Sequence, residues 1–253
     1  MSNHKSLRHK NNIAWSRSNG VHRQAIIFQR VSIHKPKPFY SIMKAMQVDF
    51  FDDKKNKILG AKDYADFKAE LIKSACTKCA LSESRTNLVV DRGNPKSKVL
   101  IIGEAPGQNE DLQGKAFVGR AGQLLDQLMK EIGFLTNEHS LIVNVVKCRP
   151  PENRAPVPKE VDSCFPFLKK QVELMEPRFI LLLGATALKH VIPERKELSM
   201  ESQVGNFFTH SSYPGVDFMV LYHPAFILRD PRKKPLMVEH LKRFKDRWDK
   251  NLS

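Results

Sequence analysis

Four cysteines at positions 76, 79, 148 and 164 are the residues most suited to chemistry by type and spacing. The first two form C-T-K-C, and the others lie far downstream in K-C-R-P-P and D-S-C-F-P. A secreted disulfide framework is not expected, because the chain is long, poor in cysteine and reads without a signal peptide. Four thiolates that include a Cys-x-x-Cys pair suit tetrahedral zinc or an iron–sulfur cluster. For Cys148 and Cys164 the ordinary reading as small buried hydrophobes stays open beside it.

A second set is an acid, an amide and an imidazole. Glu104 follows the apolar run V-L-I-I-G at 99–103 and opens the turn G-E-A-P-G, in which Gly103, Pro106 and Gly107 break the pattern. Such a turn lets the backbone approach a ligand closely. Gly119 and Gly122 flank the start of a helical segment over 121–132, whose free N–H groups favour an anion such as phosphate. Asn144 is the single polar residue of L-I-V-N-V-V, and His223 follows F-M-V-L-Y. A buried asparagine must find partners or cost a few kcal/mol, about 2–7 on transfer scales. Either neighbouring backbone satisfies it or it faces a ligand, and a tight connection without chemistry remains the plain alternative for the whole turn.

The elements that must position these groups alternate. Apolar runs at 99–103, 141–146, 179–183 and 218–222 read as buried parallel strands. Helices are expected over 61–74, 121–132, 159–176, 185–190 and 235–251, the third bounded by Pro158 and Pro177. The prolines of 150–158 stiffen a loop, and 193–216 gives no clear pattern. Strands alternating with helices predict a three-layer α/β/α sandwich around a four-stranded, mainly parallel sheet. Its strand C-termini bring Glu104, Asn144 and His223 to one edge, where ligands bind in such folds.

At 253 residues the chain can bury one good-sized core, and no apolar run is long enough to span a bilayer. The formal net charge is +15, of which residues 1–48 supply +9 with nine Lys/Arg and no Asp or Glu. A basic balance favours a polyanionic partner, nucleic acid or anionic lipid. Residues 1–58 read as an unstructured basic extension to a domain over 59–253. Three readings of it stand together: an organellar transit peptide, a start at Met43 or Met46, or an arm adding nonspecific DNA affinity. Without organellar targeting, a cytoplasmic location is expected.

From about Cys76 to Trp248 the chain resembles the family 4 uracil-DNA glycosylases, which carry a 4Fe–4S cluster. The resemblance rests on G-E-A-P-G-x-x-E-D, F-V-G-R-A-G-Q-L-L, N-V-V-K-C-R-P-P-x-N-R and H-P-A-F-I-L-R in that order. The cysteines fall in the family's places, with 68 residues between Cys79 and Cys148 and 15 between Cys148 and Cys164. The resemblance implies an iron–sulfur cluster rather than zinc on these four; because the two ligand pairs are distant in sequence, a structural role is expected, with electron transfer as the alternative. It also implies hydrolysis of uracil from single- or double-stranded DNA as the start of base-excision repair, by a monomer away from membranes. A sliding clamp or other replication partner is left unspecified.

What the resemblance implies residue by residue follows from a base taken out of the stack and read in a pocket. Asn144 would read O4 and N3–H of uracil, and Phe117 would stack on the ring. Gly103 and Ala105 would line the pocket by backbone, and Gly107 and Glu110 would wall the C5 side. His223 would hydrogen-bond the charge developing on O2. Better-known glycosylases of the superfamily read G-Q-D-P-Y-H here, and their water-orienting Asp aligns with Ala105. Glu104 is therefore assigned to water or sugar, with Asn153 near the same place. Ile227 or Leu228 would fill the gap left in DNA, and Arg154 and Arg229 would hold phosphates. For Phe117, Ile227 and Leu228 a core role is the alternative, and for the arginines a solvated one.

Three departures matter. Ala116 stands where the family usually has proline, 193–216 lacks an expected Arg-Gly turn, and the insertion of covalently trapping relatives is missing near Arg120 and Ala121. Turnover is therefore expected. A noncatalytic DNA-binding module with a four-cysteine site, or a relative acting on other deaminated bases, are the competing readings.

Overall fold

A computed structural model describes residues 57–195 and 199–251. The expectations for the basic extension fall outside these residues, apart from its last two positions. Ile58 is 3% exposed and packs into the core, so the packed domain includes residues that the 58/59 boundary assigned to the extension.

In chain order the elements that matter are α1 (Tyr64–Lys73), β1 (Arg92–Gly93), β2 (Val99–Gly103), α2 (Gln108–Gln113), α3 (Arg120–Glu131), β3 (Leu141–Asn144) and α4 (Pro158–Met175). They are followed by β4 (Phe179–Leu183), α5 (Gly184–Val191), β5 (Phe207–His210), β6 (Tyr213–Leu221), α6 (Pro224–Arg229) and α7 (Lys234–Asp249). The sheet runs β1-β3-β2-β4-β6-β5. The central four strands are parallel, as their unbroken apolar sequences require of strands covered on both faces. The two edges are antiparallel additions that the sequence does not announce. β1 is two residues long, and β5, inside the unreadable 193–216, forms a hairpin with β6 that pairs Phe207 with Met219 and Phe208 with Phe218.

Alternate residues of each strand feed two cores. Leu100, Ile102, Ile180, Leu182, Phe218 and Val220 pack on one face with Phe67 and Leu71 of α1, Phe167 and Leu168 of α4, and Leu188 of α5. Val99, Ile101, Phe179, Leu181, Met219 and Leu221 pack on the other with Leu125 and Leu128 of α3 and with Leu241 and Phe244 of α7. That is the expected three-layer sandwich. Among the described residues no helix is long and apolar enough to cross a membrane.

Register decides where the strands stop. Gly103 of β2 lies opposite Asn144 of β3, Ile102 opposite Leu182 of β4, and Leu183 opposite Leu221 of β6. Glu104 and His223 follow directly beyond this line, so three separate stretches of chain end at one sheet edge.

Candidate active site and thiol cavity

A cleft of about 620 Å³ opens at that edge. Its lining includes Glu104, Ala105, Gly107, Glu110, Phe117, Asn144, Asn153, Arg154, His223 and Arg229. Leu183, Thr186, Met200, Tyr222 and Phe226 also line it, and nothing in the sequence singles these out.

Asn144 is 1% exposed, and neither Oδ1 nor Nδ2 has a hydrogen-bond partner. A buried polar group left unsatisfied costs about 1–3 kcal/mol. The neighbouring-backbone alternative for this side chain is therefore not what the structure adopts. Gly103 has no side chain for a steric reason: a Cβ there would stand 2.4 Å from Phe117 Cζ and 2.6 Å from Asn144 Oδ1. The phenyl ring and the amide thus meet over a bare backbone.

Phe117 is held with φ +54, in the left-handed region that a bulky residue adopts only under constraint. Gly122 of α3 makes room for this backbone, since a Cβ there would lie 1.8 Å from the Phe117 carbonyl oxygen. Preceding it, Ala116 donates its N–H to the Asp91 carbonyl at 3.3 Å, a bond that proline could not make. Where the resemblance leads to an expectation of proline, alanine makes a backbone tie to the segment leading into β1.

His223 is the N-cap of α6, and its Nδ1 accepts a hydrogen bond from the Ala225 N–H at 3.1 Å. Nδ1 therefore carries no proton, and the neutral ring bears its proton on Nε2. Burial, with Arg229 adding to it, pushes the imidazole pKa down to about 4, so at neutral pH it is an uncharged donor. Its ring centroid lies 5.8 Å from that of Phe117.

Glu110 is buried, and its Oε1 accepts from the Gly119 N–H at 2.7 Å, at the N-terminal end of α3. A carboxylate suits that position through the helix dipole. The same carboxylate stands over Gly107, so it walls the cleft and ties the G-E-A-P-G turn to α3.

The proline-stiffened loop carries two consecutive left-handed residues, Glu152 at φ +55 and Asn153 at φ +57. Asn153 Oδ1 accepts from Arg149 Nε at 2.8 Å. Arg154 lines the cleft, but its guanidinium is engaged bidentately by Glu160 at 2.6 and 2.9 Å. It braces the loop against α4, and Arg229 is a second exposed cation on the cleft. The two wedge candidates separate: Ile227 is 2% exposed and belongs to the core, whereas Leu228 is 39% exposed. Ile227 is thus corrected to a packing residue, because α6 turns it inward.

On the other side of β3, Cys76, Cys79, Cys148 and Cys164 line one small cavity of about 10 Å³. Among the described residues no three His, Cys, Asp or Glu side chains are placed to hold a single ion. Four thiols lining one hollow are the donor set that an iron–sulfur cluster takes. Burial raises the pKa of Cys79 and Cys148 and pushes Cys164 up to about 12, and a bound metal would favour their deprotonated forms. Two residues missed in the sequence, Arg85 and Lys147, also line it. Arg85 Nη1 donates to Cys148 Sγ at 3.3 Å and to the Cys76 carbonyl at 2.7 Å. Lys147, whose backbone N–H donates to Cys164 Sγ at 3.3 Å, is fully buried beside it. Nothing in the spacing of either residue distinguishes it from a surface cation.

Residues 90–250 match the model of the uracil DNA glycosylase superfamily. The chain is 39% identical over 189 residues to the type-4 uracil-DNA glycosylase of Saccharolobus solfataricus, covering 73% of this chain and 86% of that one. The type-4 enzyme of Sulfurisphaera tokodaii is 38% identical over 182 residues, 71% of this chain and 82% of the relative. That of Thermotoga maritima is 43% identical over 155 residues, 61% and 79% respectively.

Proposed function

This chain belongs to the uracil DNA glycosylase superfamily, and we propose that it flips uracil out of DNA and hydrolyses its N-glycosidic bond, initiating base-excision repair. The observation that carries this reading within the cleft is the fully buried Asn144 amide with both polar atoms free. One donor and one acceptor on a single side chain match the O4 and N3–H of uracil. Cytosine presents a donor where uracil presents O4, so it leaves Nδ2 facing another N–H.

The bond breaks between C1′ and N1, leaving a cation-like sugar and a uracil anion. Phe117 supplies the face on which the ring stacks. His223 donates through Nε2–H to O2 as negative charge develops there; one such donor is worth about 2.7–4 kcal/mol. It keeps its proton, because a neutral imidazole is a much weaker acid than an imidazolium. Glu104, assisted by Asn153, orients the water whose oxygen forms the new bond to C1′. The departing water proton passes to solvent and uracil takes one up on N1, so charge and atoms balance. Glu110 stands on the C5 side with Gly107 and leaves little room for the methyl of thymine. Leu228 fills the vacated stack, and Arg229 contacts the phosphate backbone.

The four cysteines are read as holding a 4Fe–4S cluster. Such a cluster would supply a structural clamp, joining the segment after α1 to the two flanks of the 150–158 loop, and no bond-breaking step depends on it.

The deciding experiment is release of free uracil from a uracil-containing oligonucleotide, with alkali cleavage at the abasic site. A gel shift without uracil release would sink the enzyme reading and leave a DNA-binding module.

A further inference from the structure

We propose that Lys147 is a positioning residue that links the thiol cavity to the base-reading amide, with its charge serving the first and its hydrogen bond the second. This rests on the cluster and the activity proposed above.

Lys147 is 1% exposed, an unusual place for an ammonium group. Its Nζ donates to the main-chain carbonyl of Asn144 at 2.6 Å. Its own N–H donates to Cys164 Sγ at 3.3 Å, and its carbonyl accepts from the Val89 N–H at 2.8 Å. The residue that follows it is Cys148. One lysine is therefore bonded to the residue expected to read the base, bonded to one thiol, and adjacent in sequence to another.

The side chain of Asn144 is held by no hydrogen bond of its own, so its aim depends on how firmly its backbone is fixed. On one side the neighbouring Val145 N–H bonds to the Gly103 carbonyl at 2.9 Å. The Lys147 ammonium fixes the carbonyl end. Removing it would leave that carbonyl buried without a partner and the amide free to tilt.

Charge explains why a lysine is used. Four thiolates around an iron–sulfur group carry net negative charge, and an uncompensated buried charge is strongly unfavourable. Lys78, Arg85 and Lys147 line the cavity. Lys147 is the one among them that is fully buried and also bonds a residue lining the cleft. A charge that the cluster stabilises is thereby kept in place at the back of the pocket.

Two variants separate the roles. Lys147→Gln removes the charge and keeps a donor for the carbonyl, whereas Lys147→Met removes both. Chelator-driven iron release, followed by absorbance, is expected to quicken at least fivefold in both. Calorimetric affinity for free uracil is expected to stay within about twofold of the parent in Lys147→Gln and to fall at least tenfold in Lys147→Met. Iron release at the parent rate, or parent-like uracil affinity in Lys147→Met, overturns the proposal. Should Lys147→Met not fold, Lys147→Gln decides through its iron release alone. A parent protein without iron, or one that releases no uracil from DNA, would instead overturn the reading on which this rests.

Discussion

The imidazole of His223 and the phenyl ring of Phe117 stand 5.8 Å apart between centroids, their planes tilted by 41°. Sandwiching a third flat ring between two others takes about 7 Å, twice the usual contact distance. In the function proposed here, a base in this cleft would therefore stack on Phe117 alone and meet His223 by the imidazole edge, which is where Nε2–H lies.

That division of labour predicts a clean separation for His223→Asn. Asparagine is a good N-cap, so Oδ1 can replace Nδ1 as acceptor for the Ala225 N–H, but it cannot reach as far as Nε2. Melting should shift by less than about 1 kcal/mol, while kcat falls about 10²–10³-fold. His223→Ala should lose a similar factor in rate and about 0.5–2 kcal/mol of stability as well. A parent-like rate in His223→Asn would remove the imidazole edge from the mechanism.

Asn144→Leu tests whether the free amide is kept for binding at the expense of stability. Leucine is of similar size and brings no polar atom into the pocket. Denaturant unfolding should show unchanged or increased stability, by up to about 1–3 kcal/mol, because the unsatisfied amide is gone. Uracil release should fall at least 100-fold. A destabilised variant would mean that Asn144 has structural partners in solution.

The pH dependence has a fixed sign. With the folded His223 pKa at about 4 and the unfolded value near 6.5, the folded state binds fewer protons between these limits. Its contribution to stability is complete above pH 6.5 and is lost as pH falls toward 4, at up to about 1.4 kcal/mol per pH unit. Burial also lowers the pKa of His190 and His240, which act in the same direction. Chemical denaturation of the parent and His223→Asn at pH 7 and pH 5 isolates the His223 share, and the parent should lose stability relative to the variant in acid. A titration of His223 by NMR near 6.5 would refute the neutral-donor assignment.

For the thiol cavity, Cys148→Ser should lose the brown chromophore and thermal stability together. If the variant stays colourless yet melts with the parent and keeps full activity, the four cysteines are not a structural clamp.

Much of this was legible because the central strands announce themselves. V-L-I-I-G and F-I-L-L-L occur in the structure as read, since continuous apolar runs bounded by glycine have few other uses in a buried sheet. Glu104, Asn144 and His223 came together because strand ends in parallel register are a matter of topology. Side-chain direction was not legible. Ile227 and Leu228 are adjacent and chemically alike, and only the docking of α6 decides which faces the core. Edge strands escaped because two residues of β1 carry no periodicity and β5 depends on its hairpin partner. Lys147 and Arg85 escaped because burial of a cation is decided by its neighbours, not its own type.

The contact between Phe117 and the bare Cα of Gly122 joins the aromatic platform to a twelve-residue rod. Repacking beneath α3, at Leu125 or Leu128, would displace that rod and tilt the platform with it. Mutational drift deep in the hydrophobic layer can thus retune the grip on an everted base while every lining residue stays the same, which makes α3 a lever for engineering selectivity from a distance.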